Sequence, residues 1–138
     1  MLLFHGTPSR DDQYLLETVH SAGASMASQD EIAARLGGVS QPLLLCGHTH
    51  IPRVARCRDS LIVNPGSVGL QAYEDTVPLP HRMETGSPDA RYAVIERASS
   101  GWRVDLLSIP YDHEAAAVTA LGNHRPDWAH RLRTGRTG

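Results

Sequence analysis

An α/β fold is what this chain predicts, and three observations carry the reading. The run Pro42-Leu43-Leu44-Leu45-Cys46 has no polar face, so it reads as a strand buried on both sides, as strands of parallel sheets are. Ser28-Gln29-Asp30-Glu31 is a capping box that opens a helix, the serine hydroxyl accepting from the Glu31 N–H while the glutamate reaches back. Short apolar runs end repeatedly in turns rich in Gly, Pro and Asn, the punctuation expected between alternating strands and helices.

In chain order, residues 1–4 read as a strand, and His5 to Asp12 as a loop punctuated by Gly6 and Pro8. Tyr14, Leu15, Leu16 and Val19 suit either a short helix or a strand, and periodicity does not decide between them. The helix begun at Ser28 carries Ile32, Ala33 and Leu36 on one face and ends at Gly37-Gly38. Arg53–Arg58 and Leu61–Val63 read as a hairpin turning at Asp59-Ser60, and Asn64-Pro65-Gly66-Ser67 as a tight loop after it. Tyr73 to Asp89, with Pro78, Pro80 and Pro88 among acidic and polar residues, reads as a long surface loop.

Tyr92–Ala98 and Trp102–Ile109 form a second hairpin around Ser99-Ser100-Gly101, with Trp102, Val104 and Leu106 alternating with polar neighbours. Asp112 caps a helix that carries Ala115, Val118 and Leu121 and stops at Gly122. Pro126 fits the first turn of a last helix, 127–132. Residues 1–132 are thus one structural unit, and 133–138 are expected to be a frayed tail. Trp102 and Trp128 are the expected core anchors.

Composition bounds the function. The chain has 138 residues, enough for one domain with a real core, and a formal net charge of −2. No basic field recruits nucleic acid or anionic lipid, so specific nucleic-acid binding is not expected. All 13 basic residues are arginine, which reads first as compositional bias. Two cysteines, Cys46 and Cys57, do not make a disulfide framework, and Cys57 reads as exposed. No apolar stretch approaches the roughly 20 residues of a membrane span, and residues 1–4 do not read as a leader. A cytoplasmic location is the expectation.

The chemistry lies at strand ends. Gly47-His48-Thr49-His50 follows the apolar strand directly, and His5-Gly6-Thr7-Pro8 follows Leu2-Leu3-Phe4. Strand ends are rigid, and neutral histidine is the commonest metal ligand. These two motifs and Asn64-Pro65-Gly66-Ser67-Val68-Gly69, in this order, resemble the calcineurin-like metallophosphoesterases, in particular their small bacterial phosphodiesterase branch. The stretches Pro80-His81-Arg82-Met83-Glu84 and Ala90-Arg91-Tyr92-Ala93 extend the resemblance.

The resemblance implies part of a four-layer αββα sandwich with a two-metal site. His5 and His48 would bind one divalent ion and His50 the other, on the argument that side chains two apart in an extended segment point the same way. The ions, manganese, iron, zinc or nickel, sit about 4 Å apart in such sites and clamp the attacking and leaving oxygens of a phosphate ester. Thr7, Arg10, Thr49 and Arg82 are the candidate substrate contacts.

The chain departs from the pattern in one respect. The family's Asp-x-His, Gly-Asp-x-x-Asp and Gly-Asn-His segments belong upstream of His5, where only four residues stand. The chain therefore reads as the C-terminal half of such an enzyme, lacking its Asp and Asn ligands. Gly122-Asn123-His124 is a poor substitute, since Arg125 follows where an acid belongs, and His113-Glu114 lacks the second histidine of a zinc-protease helix at Ala117. Three neutral imidazoles offset none of the repulsion between two +2 ions, roughly 17 kcal/mol at 4 Å and an effective dielectric near 20. The expectation is a phosphoesterase fragment with an incomplete site and no complete catalytic set of its own, pairing with an N-terminal half or a second copy. The alternatives are a non-catalytic regulatory or scaffold module, one half of a split enzyme, or a mis-assigned start codon.

Overall fold

The computed structural model describes residues 1–138. Its centre is a four-stranded sheet built from β1 (Leu2–Leu3), β4 (Leu43–Leu45), β5 (Arg53–Cys57) and β6 (Ser60–Asn64), in the order β1-β4-β6-β5. β1, β4 and β6 are parallel, with Leu2 opposite Leu44 and Leu44 opposite Ile62; β5 returns antiparallel to β6. Parallel strands end on the same edge of a sheet. The loops after β1, β4 and β6, which hold His5, His48-Thr49-His50 and Asn64-Pro65-Gly66, are therefore gathered along one edge.

Successive side chains of β4 and β6 divide between two faces, and both faces are covered. On one, Leu44, Cys46, Ala55, Cys57 and Ile62 pack against Leu15, Leu16 and the helix α1 (Gln29–Leu36), which buries Ile32 and Leu36. On the other, Leu43, Leu61 and Val63 pack against Ala93, Ile95, Trp102 and Val104 from a long ribbon. That ribbon pairs β9 (Ala90–Ala98) with β10 (Gly101–Ile109). A smaller apolar cluster joins α2 (His113–Gly122) to α3 (Pro126–Thr134) through Ala117, Ala120, Ala129 and Leu132.

The capping box at Ser28 is present in both directions, and Gly37 takes a φ of 60° as the helix ends. Asp112 caps α2 through the Ala115 N–H, and Pro126 opens α3. The alternation along the ribbon holds at its start, where Trp102 and Val104 face the sheet with Ala93 and Ile95, and fails at Leu106, which is exposed.

Several expectations are corrected. The undecided segment after Asp12 is β2 (Glu17–His20), which pairs with β3 (Gly23–Met26) around Ser21-Ala22. Polar and small residues dominate β3, so no apolar alternation marks it. The stretch 73–89 is not a structureless loop: β7 (Ala72–Asp75) and β8 (His81–Glu84) form a hairpin that buries His81 and Met83. The tail is docked rather than frayed, since the Thr137 N–H and hydroxyl both donate to Glu84 Oε1, at 2.7 and 2.6 Å. Cys57 is buried, and both cysteines are free. Trp128 is 40% exposed with the Arg125 guanidinium 4.7 Å above its ring, so it is a surface stacking residue and not a core anchor. No helix is long and apolar enough to cross a membrane.

Candidate metal centre

His5 stands just beyond β1 and His48 just beyond β4, and the parallel pairing of those strands brings the rings together. His5 Nε2 lies 3.2 Å from His48 Nδ1, with ring centroids 4.8 Å apart. Two imidazole nitrogens each about 2.0–2.1 Å from one zinc ion, at tetrahedral or octahedral angles, are about 2.8–3.4 Å apart. A hydrogen bond between the two rings and joint ligation of one ion both have this separation.

His50 is oriented by a different group. Its Nδ1 is 2.8 Å from the Leu70 carbonyl, which accepts only, so Nδ1 carries the proton and the lone pair is left on Nε2. A carbonyl on the far ring nitrogen is the usual support of a ligating histidine. Burial pushes the pKa of both His48 and His50 down, reinforced by the neighbouring histidines, which keeps the rings neutral. The Asp12 carbonyl and the Asp75 charge oppose this at His48, as the Leu70 carbonyl does at His50.

The local backbone is not the extended segment that the sequence suggested. His48 and His50 have φ values of 66° and 61°, the left-handed region that costs non-glycine residues of order 1 kcal/mol or more each. The two side chains consequently part company: His48 turns toward His5 and Tyr14, and His50 toward Leu70 and Tyr73. This strained turn is held from below. Asn64, at the end of β6, donates from Nδ2 to the Gly47 carbonyl at 2.9 Å and to Thr49 Oγ1 at 3.0 Å, and its Oδ1 accepts from the Gly66 N–H.

The candidate substrate contacts separate into two groups. Thr7 and Thr49 are each 1% exposed and serve the loops. The Thr7 hydroxyl is engaged with the backbone of Arg10, and that of Thr49 with Asn64 and the Ile51 N–H, so neither faces a ligand. Arg10 is exposed, bonded in two places to Asp12, and borders a cavity of about 520 Å³ that also touches Tyr14, Glu17, His48 and Asp75. Arg82 lies elsewhere, on β8, paired with Glu74 at 3.0 Å and bordering a different cavity.

Three residues of the site carry no motif. Glu17 is buried, donates nothing, and accepts from Arg53 Nε at 2.8 Å; burial pushes its pKa up despite that partner. Tyr14 and Tyr73 line the histidines. No signal in a single sequence distinguishes them from core tyrosines. Nowhere do three His, Cys, Asp or Glu side chains gather as one ion's ligand set. The donors fit one edge of an ion's coordination shell, and no carboxylate joins them in a set of three.

Comparison with known proteins agrees with this fold. Residues 1–82 match the model of the calcineurin-like phosphoesterase superfamily domain. A metallophosphoesterase from Sphaerobacter thermophilus is similar in fold, with a TM-score of 0.68 and 20% identity over 96% of this chain and 54% of that one. A hypothetical protein from Pyrococcus horikoshii OT3 superposes with a TM-score of 0.65 and 16% identity, covering 99% of this chain and 47% of its own. No curated protein matches. The chain therefore spans about half the length of these two structures. The match over residues 1–82, more than half of the sequence, settles membership: the chain belongs to the calcineurin-like phosphoesterase superfamily.

Proposed function

We propose that this chain supplies the histidine side of the divalent-metal centre of a phosphoesterase, with His5 and His48 as ligands of one ion and His50 as a ligand of a second. The observation that supports it most directly is the 3.2 Å approach of His5 Nε2 to His48 Nδ1 across two parallel strands. When bound, a divalent ion supplies Lewis-acid stabilisation of the phosphoryl group and a more acidic water. The chain's own residues do the rest. Burial favours the neutral form of the His48 and His50 rings, the Leu70 carbonyl fixes the His50 tautomer, and Asn64 holds the turn that carries both. Arg10, on the rim of the cavity beside His48, is placed to meet an anionic ester. Manganese, iron, zinc and nickel all suit a mixed imidazole and carboxylate set.

The carboxylates of the complete centre come, in this reading, from outside residues 1–138, on a partner segment or chain. Two features support a partner on the His5 side. The edge strand β1 leaves Leu3 62% exposed, and an apolar cavity of about 280 Å³, lined by Leu3, Phe4, Leu45, Val63, Ala93 and Ile95, opens beside His5. An open apolar edge of this kind invites association.

The test is metal stoichiometry by atomic emission on the purified chain, together with hydrolysis of bis-p-nitrophenyl phosphate with added manganese. The expected result is one weakly held ion and no metal-dependent turnover by the chain alone. Two tightly held ions with turnover would overturn the incomplete-site reading. An unchanged metal content in His48→Ala would overturn the ligand assignment.

A further inference from the structure

Behind the two histidines of the Gly47-His48-Thr49-His50 turn stands a polar chain that no motif announces. The Tyr14 ring lies 4.7 Å from the His48 ring, and the Tyr73 ring lies 5.2 Å, edge-on, from the His50 ring. The two tyrosines thus pack one against each histidine. Their hydroxyls are joined at 2.9 Å, and the Tyr73 hydroxyl also lies 3.3 Å from the His48 carbonyl. Tyr14 reaches on to His81 Nε2 at 2.9 Å, and His81 Nδ1 sits 2.7 Å from the Leu79 carbonyl.

The direction of the chain follows from its end. A carbonyl only accepts, so His81 Nδ1 carries the proton, Nε2 accepts from Tyr14, and the Tyr14 oxygen accepts from Tyr73. Tyr14 and His81 are both buried, where an unmade hydrogen bond is costly. The chain ties three separate segments to one another: the loop before β2, the β7–β8 hairpin, and the strained turn after β4.

We propose that Tyr14 and Tyr73, anchored by His81, are positioning residues that cross-brace His48 and His50 and so set the directions in which those rings present their lone pairs. The inference rests on the metal-centre reading above. Its physical argument is that His48 and His50 sit at positive φ, in a turn that relaxes unless something opposes relaxation. Asn64 holds the turn's backbone, whereas the hydrogen-bonded tyrosine pair packs one ring against each imidazole. Neither tyrosine is proposed to bind the ion or to move a proton.

The test is made on the full chain with Tyr73→Phe, which removes one hydroxyl and keeps the ring, and with Tyr92→Phe, on the exposed outer ribbon, as control. Cobalt(II) titration followed by visible absorption reads the affinity of the centre. Long-range proton–nitrogen spectra of the histidine rings in the metal-free protein read tautomer and ring order directly. The expected result for Tyr73→Phe is a tenfold to hundredfold loss of cobalt affinity, the usual penalty for removing such support. It comes with displaced His48 and His50 ring signals, an unmoved His124 and a nearly unchanged thermal midpoint. Tyr14→Phe cuts the same bond from the other side and also leaves buried His81 Nε2 without its donor, so it should displace the same ring signals with a lowered thermal midpoint. Unchanged ring signals in both tyrosine variants overturn the proposal. A wild-type chain that binds no cobalt refutes the metal-centre reading instead, and the brace is then decided by the metal-free ring signals alone.

Discussion

Asn64 donates to Thr49 Oγ1 at 3.0 Å, and the same Nδ2 donates to the Gly47 carbonyl at 2.9 Å, so one amide spans the turn that carries His48. Asn64 and Thr49 are each 1% exposed, and no solvent is at hand to replace the bond. Asn64→Ala leaves a carbonyl and a hydroxyl buried without a donor. It should lower stability by about 1–3 kcal/mol. The urea unfolding midpoint checks this; a midpoint equal to wild type would mean that the amide is dispensable.

Gly6 is required by space rather than by φ. A Cβ at this position would stand 2.5 Å from the Gln13 carbonyl oxygen and 2.7 Å from those of Arg10 and Asp11. All three are backbone atoms, which cannot swing aside as a side chain would. Gly6→Ala should push the 10–13 segment outward, cost about 1–3 kcal/mol, and tilt His5 away from His48. A thermal midpoint and zinc affinity both indistinguishable from wild type would contradict it.

These two positions mark what the sequence made readable. Motifs at strand ends placed His5, His48, His50 and Asn64 along one edge, because a parallel sheet puts consecutive strand ends on one edge whatever the details of packing. The divergence of His48 and His50 was not readable, since left-handed φ at a histidine depends on tertiary support from Asn64 and not on local propensity. The β7–β8 hairpin hid behind its prolines: Pro78 and Pro80 lie in the turn between the strands, where a missing N–H costs nothing. Thr7 and Thr49 looked like ligand-facing hydroxyls but are consumed by their own loops. The Tyr14–Tyr73–His81 chain joins residues up to 67 apart, beyond the reach of any short motif.

Glu17 gives the pH profile a particular shape. Burial raises its folded pKa above the ordinary 4.5, so the native state holds a proton that the unfolded chain has released. Stability contributed by this group is therefore full below about 4.5 and is lost as pH rises through the folded value. Glu31 and Asp127 act oppositely. Hydrogen bonds from Ser28 and Thr18 hold Glu31 at about 2, and the Arg125 guanidinium holds Asp127 at about 2, so their contribution is lost as pH falls through that range. The stability maximum should accordingly lie near the ordinary carboxylate value of about 4.5, with a decline above it that Glu17→Gln flattens. Urea midpoints from pH 3 to 8 for the two proteins measure this, and an alkaline slope that survives Glu17→Gln would assign the decline to another group.

Arg53 is the partner that makes the buried Glu17 tolerable, at 2.8 Å. Removing one member of such a pair strands the other, at a typical cost of 3–5 kcal/mol, and Arg53 is partly exposed, so a value near or somewhat below about 3 kcal/mol is expected for Arg53→Ala. The double variant Arg53→Ala/Glu17→Gln should recover part of that loss, because the stranded charge is gone. A double variant no more stable than Arg53→Ala alone would mean that the arginine acts through packing of its stem.

Sharing of one ion by His5 and His48 has a consequence that separates it from a simple hydrogen bond between two rings. If both nitrogens hold the same ion, His5→Ala and His48→Ala each destroy the same site, and combining them costs metal affinity little beyond either alone. His50 faces a different direction, with its Nδ1 on the Leu70 carbonyl, and is the proposed ligand of the second ion. His50→Ala should therefore leave the first ion's affinity largely intact and combine nearly additively with His48→Ala. Zinc titration of the three single variants, the two double variants and wild type closes these cycles. Additive effects of His5 and His48, or strong coupling of His50 with His48 alone, would require a different division of the three imidazoles between ions, because a coordination shell is a cooperative unit and only residues within the same shell fail to add.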